Sequence, residues 1–346
     1  MCKWSFPGNQ GGQIRGVADA GIENFSGTEL SSLARENCQN SLDAALDDAS
    51  PKVLVEFESR FIPEDKIPGI IEYRSILEKC KLFWNPSTSQ KAKTFLENAI
   101  KHANKENGFV LRISDYNTTG LSKPYPNPRD NASPIEFGGW NALIKIDGGA
   151  NKDGDKAGAF GIGKSASFSN SYYRLVFYRT LNQDNERASQ GVSRLVSYSE
   201  GKNITSGVGY YGNPDGNNPV ESISELEFLN QRTQPGTDVF IFGFMAKDGW
   251  ENEIIIALLE NFLMSIYNGH LRVKVQKGEI NSNTLGNYME RVHRSSPSST
   301  KGTYGNYLCL TRNEDVKSYS MDFHNMGTLE LRLSLIHISE PTRRVV

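Results

Sequence analysis

Between Leu30 and Leu46, apolar residues fall at Leu30, Leu33, Ala34, Cys38, Leu42, Ala45 and Leu46. Steps of three and four place them on one side of a helix, and that stripe must be buried. Ser26-Gly27-Thr28, just upstream, offers an N-cap. Beside the stripe, Glu36, Asn40 and Asp43 recur at i, i+4 and i+7. A carboxylate, a carboxamide and a second carboxylate stacked in this way suit a hard cation such as Mg2+, which takes oxygen ligands. The pattern also suits a helix with a solvated polar face, so this stretch alone leaves both readings open.

The 346 residues, 37% of them hydrophobic, suffice for a large core or for two domains. A formal net charge of -2 gives no global pull toward nucleic acid or an anionic membrane, although a local basic groove is compatible with it. The four cysteines, Cys2, Cys38, Cys80 and Cys309, form neither a zinc pattern nor a disulfide framework. No apolar run approaches the ~20 residues that span a bilayer. The N-terminus lacks the apolar core of a secretory signal. The expectation is a cytoplasmic protein with reduced thiols and no membrane partner.

Along the chain, residues 52–57 read as a strand, 68–83 and 88–104 as a helical hairpin, and 109–115 as a strand ending on Asp115. A Gly/Pro/Asn/Asp-rich region, 116–157, is too long for a simple connection and is expected to be functional or mobile. Strands are predicted at 174–178, 192–198 and 238–243, a strongly apolar helix at 251–267, and a strand at 271–275. Residues 278–302 read as loose and polar, and there is no internal repeat. This order predicts a layered α/β sandwich with helices on one face of a sheet.

Two further stretches carry chemistry. A carboxylate accepts hydrogen bonds, so Asp115 at a strand end, followed by a turn with Gly120, suits an exocyclic amino group such as that of adenine; a structural turn is the plainer reading. Gly158, Gly161 and Gly163, followed by Lys164 and Ser165, can bring backbone N–H groups against a polyphosphate ahead of a helix N-terminus. Gly158 to Ser165 also satisfies the P-loop pattern, but that motif needs an apolar strand immediately upstream. Residues 148–156 are glycines and charged or small residues, so the P-loop fold is rejected while the phosphate role is kept. Lys164 and Ser165 suit phosphate contact as a point charge and a hydroxyl, and Lys164 equally suits a solvated lysine. Tyr116 is placed to stack on a nucleotide or to pack.

In this order, the three stretches resemble the GHKL, or Bergerat-fold, ATPase superfamily, in the style of MutL, heat-shock chaperone and MORC-type ATP-binding domains. Glu36 to Ala44 matches the N-box, with Glu36 at the general base, Asn40 at the Mg2+ ligand and Asp43 at the next polar position. Asp115 matches the adenine-reading acid and Gly120 a glycine of the same motif. Gly158, Gly161 and Gly163 match the ATP-lid glycines, and Gly236-Thr237 resembles a later Gly-Thr element. The usual Asp-x-Gly-x-Gly departs here, where Asp115-Tyr-Asn-Thr-Thr-Gly120 loses one glycine and gains a residue.

The resemblance implies an α+β fold, a two-layer sandwich with a mixed, largely antiparallel sheet. The ATP-binding domain would span 1–245, with a helical insertion at about 63–107 and the ATP lid at about 116–168. An incomplete transducer-like region would follow at 246–332. It implies ATP and Mg2+ as cofactors, and hydrolysis of ATP driving a clamp that dimerises with its own copy. A DNA partner, in repair or defence, or a protein client of a chaperone-like remodeller would follow from different branches; a nucleotide switch with little turnover is a third possibility. Histidine-kinase activity is disfavoured because Glu36 is a carboxylate and His102 lacks the expected acidic neighbour. Such ATPases also use a lysine from the following domain, so a fragment ending early is expected to be compromised. The segment 333–343 resembles a translated sequencing adaptor, and 333–346 is therefore expected to be foreign to the fold, with the natural sequence cut near Arg332.

Overall fold

The computed structural model of the chain describes residues 1–46, 53–85, 89–122, 124, 138–146, 163–312, 316–323 and 327–334. Gly158, Gly161, most of the expected lid and residues 335–346 lie outside the described residues.

The chain opens with β1 (Lys3–Ser5), α1 (Ala20–Glu23) and α2 (Glu29–Asp43), followed by β2 (Val53–Pro63), α3 (Ile70–Trp84), α4 (Gln90–Ala103) and β3 (Asn107–Tyr116). After α5 (Gly138–Ile144) and α6 (Ser165–Ser169) come β4 (Ser171–Leu181) and β5 (Arg187–Arg194). The small hairpin of β6 (Ser199–Glu200) and β7 (Asn203–Ile204) leads to β8 (Val208–Gly212), α7 (Ser224–Leu229) and β9 (Gly236–Phe244). Then follow α8 (Trp250–Tyr267), β10 (Leu271–Val275), β11 (Gly278–Ile280), α9 (Leu285–Ser295), α10 (Pro297–Thr311), β12 (Val316–Phe323) and β13 (Gly327–Ser334).

A nine-stranded sheet runs β1-β8-β5-β4-β9-β3-β2-β10-β11. Every pairing in it is antiparallel except β10 with β2. The fold is thus mixed α+β with a largely antiparallel open sheet. The central strands β3, β4 and β9 are apolar in successive positions, so both of their faces must be covered. On one face Leu111, Val176 and Ile241 pack with Leu33 and Cys38 of α2 and Leu258 of α8. On the other, Val110, Phe177 and Phe240 pack with Tyr73 and Leu77 of α3 and Leu96 of α4.

The expectation of helices on one face is therefore corrected. The hairpin inserted between β2 and β3 forms a third layer, because alternate residues of the same strands demand cover on that side. Residues beyond 245 continue the same sheet and core: α8 and Leu285, Met289 and Val292 of α9 join the first cluster, and β10 pairs with β2. The segment 278–302 is also corrected, since it holds β11, α9 and the start of α10. Leu333 and Ser334 fall within β13, which pairs with β12 from Val316↔Ser334 to Phe323↔Gly327. No helix among the described residues is long and apolar enough to cross a membrane.

Candidate functional site

Helix α2 lies on the first face with Leu33, Ala34 and Cys38 fully buried. Its C-terminus is stitched to the turn after β3: the Thr119 N–H donates to the Ala44 carbonyl at 2.9 Å, and the Leu46 N–H to the Asn117 carbonyl at 3.1 Å. These bonds carry the polar side of α2 to the end of β3, where Asp115 sits.

Asp115 is held from three elements. The Thr237 N–H donates to Oδ1 at 2.7 Å and the Thr118 hydroxyl to the same oxygen at 2.7 Å, while the Ser41 hydroxyl of α2 shares its one proton between Oδ2 at 3.1 Å and the Asn37 carbonyl at 2.9 Å. Burial raises the Asp115 carboxyl above the usual carboxylate range; the Arg232 guanidinium and the bonds from Thr237 and Thr118 pull the other way. Gly236 lets these parts approach. A Cβ there would lie 2.4 Å from the Asp115 carbonyl oxygen and 2.4 Å from Arg232 Nη1. Gly120, at φ +68°, closes the same corner against the Leu181 carbonyl.

Earlier on α2, Glu36 lies beside Gly163, where the described residues resume. A Cβ at Gly163 would stand 2.1 Å from Glu36 Oε2. The other carboxylate oxygen pairs with Arg35 Nη2 at 3.1 Å. That arginine side chain is half exposed, so the pair contributes under about 1 kcal/mol and leaves Glu36 free to turn. Asn40 is exposed on the same side of α2. Asp43 accepts from Gln39 Nε2 at 2.8 Å.

Lys164 and Ser165 are less open than a solvated loop would make them. Lys164 is buried and its ammonium donates to the Ile146 carbonyl, so it is not a solvated lysine. Ser165, at the start of α6, is buried and accepts from Arg194 Nη1 at 3.2 Å. Tyr116 lies on the sheet face opposite Asp115, with Arg232 4.9 Å above its ring and its hydroxyl 3.4 Å from Glu56 Oε2. It packs there, away from the Asp115 side.

The structure therefore brings Glu36 against Gly163, and Asp115 against Ser41, Thr118 and Thr237, with Gly120 packed on Leu181 and Asn40 exposed on α2. Mg2+ commonly keeps waters and phosphate oxygens and needs few protein ligands, so a single exposed carboxamide oxygen at Asn40 fits it. No cluster of three or more His, Cys, Asp or Glu fit to hold a metal occurs among the described residues.

Ser41, Thr118 and Arg232 were not singled out from the sequence. Ser41 lies inside the helical stretch and faces Asp115, which its position beside Asn40 could have signalled. Arg232 carried no local signal; Asp238, an acid leading an otherwise apolar strand, was the available clue. No protein-family model matches the chain, and no curated protein sequence matches it.

Proposed function

We propose that the chain binds ATP with Mg2+ along α2, the Asp115–Gly120 turn and the start of α6, and hydrolyses it as a nucleotide-driven conformational clamp of the Bergerat type. The observation that carries this reading is Asp115: a carboxylate fixed by Thr237, Thr118 and Ser41, beside the end of a helix that presents Glu36 and Asn40. Fixed donors on both oxygens orient the remaining lone pairs, and an acceptor-only group so placed selects an amino-bearing edge such as that of adenine.

Asn40 would hold the metal through its carboxamide oxygen, with Asp43 one turn on. When bound, the metal supplies charge neutralisation across the phosphates. Glu36, one turn before Asn40 and so close to Gly163 that a Cβ there would overlap its carboxylate, would accept a proton from water at the γ-phosphate end. Gly163 leaves room for that carboxylate. Lys164 and Ser165 would reach phosphate only after leaving their present partners, which gives closure of the segment a physical meaning.

Phosphate release from Mg-ATP, compared between the wild type and Glu36→Gln, tests the hydrolytic part. General-base loss should lower the rate about 10²–10⁴-fold while ATP still binds. Equal rates in the two proteins would remove Glu36 as the base. Binding without measurable release in the wild type would leave a nucleotide switch instead.

A further inference from the structure

Arg232 lies in the connection between α7 and β9. It is 2% exposed and bridges the ends of the central strands β3 and β9. Its Nε donates to Asp238 Oδ2 at 2.8 Å and its Nη2 to Asp238 Oδ1 at 2.7 Å, a two-point grip that fixes the guanidinium plane. Nη2 also donates to the Thr237 carbonyl at 3.0 Å and to the Asp115 carbonyl at 2.9 Å. One guanidinium thus holds the backbone on both sides of the Thr237–Asp115 bond.

Asp238 is anchored in turn. Arg179 Nε and Nη2 donate to its Oδ2 at 2.8 and 2.6 Å, and the Ser114 hydroxyl donates to its Oδ1. Ser114 and Asp238 face the side of the sheet opposite Asp115, so the network grips the Asp115 peptide from behind. The missing Cβ of Gly236 is what lets the guanidinium and the Asp115 carbonyl share that space. A structural ion pair could stop at Arg179 and Asp238; the reach of Arg232 across Gly236 goes further than that pair needs.

We infer that Arg232, clamped by Asp238, is a positioning residue for the nucleotide-reading carboxylate: its guanidinium fixes the Asp115 peptide on which that carboxylate is carried. This rests on Asp115 reading an amino group, as proposed above. Among the described residues, the ionisable groups acting on Asp115 include Arg232, Asp238 and, from α2, Cys38. Of these, Arg232 is the cation, and Asp238 opposes it.

The test uses the full chain with Arg232→Gln and Arg232→Lys. Arg179 keeps Asp238 paired in both, which favours folding, and Arg232→Lys retains the charge if the neutral variant does not fold. Asp115 is titrated by carbon-13 NMR of its carboxyl without ligand, and Mg-ATP binding is measured by calorimetry across the same pH range. Arg232→Gln should move the Asp115 midpoint upward and weaken ATP about tenfold or more at neutral pH, with Arg232→Lys between it and the wild type. A folded Arg232→Gln with the wild-type midpoint and affinity would overturn the positioning role while leaving the adenine reading intact. Failure of the wild type to bind ATP would overturn the adenine reading and the nucleotide role of Arg232 with it, even if the midpoint moved.

Discussion

The backbone N–H of Thr237 donates to Asp115 Oδ1 at 2.7 Å across a sequence separation of 122 residues. β9 and β3 are neighbours in the sheet, paired from Val110↔Phe242 to Ser114↔Asp238, and the bond continues that ladder one step beyond its last pair. A side chain has taken the place of a backbone acceptor at the strand ends. The sheet itself thereby supplies one of the bonds that fix the carboxylate, beside those from Thr118 and Ser41.

Gly236 is the position where this join is most sensitive. A methyl there would meet the Asp115 carbonyl and Arg232 at 2.4 Å, at φ +145°. Gly236→Ala should lower stability by about 1–3 kcal/mol and weaken ATP more than stability alone accounts for. Chemical unfolding beside calorimetry separates the two effects.

Gly163→Ala should behave differently. Its methyl would collide with the far end of Glu36, a side chain able to swing away, so the melting temperature should hardly change. The carboxylate would be displaced, and a misplaced base costs on the order of a hundredfold in rate. Steady-state phosphate release with unchanged thermal unfolding is the expected pair of results.

Acid should attack the network around Asp238. The guanidinium groups of Arg232 and Arg179, against the opposing effect of burial, hold its carboxyl well below the usual range. A lowered folded pKa contributes stability that is complete above the unfolded value of about 3.9 and is lost as pH falls below it. Unfolding by urea at pH 7, 4 and 3 should show this loss in the wild type. Asp238→Asn should be less stable at pH 7, by about 3–5 kcal/mol, because it leaves buried guanidinium groups without their anion, and its stability should fall less between pH 4 and 3.

The stripe of α2, the helical hairpin and the apolar strands were legible in the sequence because each has a strong period. Residues 278–302 were not. Helix α9 buries only Leu285, Met289 and Val292, a narrow line in a polar segment, and α10 begins with Pro297 and contains Gly302 and Gly305. Packing of Tyr304, Tyr307 and Leu310 against the core outweighs that poor propensity. The second helical layer was not legible because consecutive apolar residues in β4 and β9 do not reveal which elements cover each face. Within the site, Glu36, Asn40, Asp115 and Thr237 were visible as motif positions, whereas Arg232 acts through contacts that tertiary folding alone creates.

Mg-ATP calorimetry on the wild type and Asp115→Asn tests the central claim most directly. Asparagine can keep its oxygen toward Thr237 and Thr118, which turns its NH2 toward Ser41 and the amino edge of adenine. Because the bonds from Thr237 and Thr118 are kept, the substitution should leave the fold intact. The account predicts ATP binding by the wild type and a loss of about tenfold or more in Asp115→Asn at an undiminished melting temperature. Equal affinity in the two proteins, or no binding by a folded wild type, would contradict it.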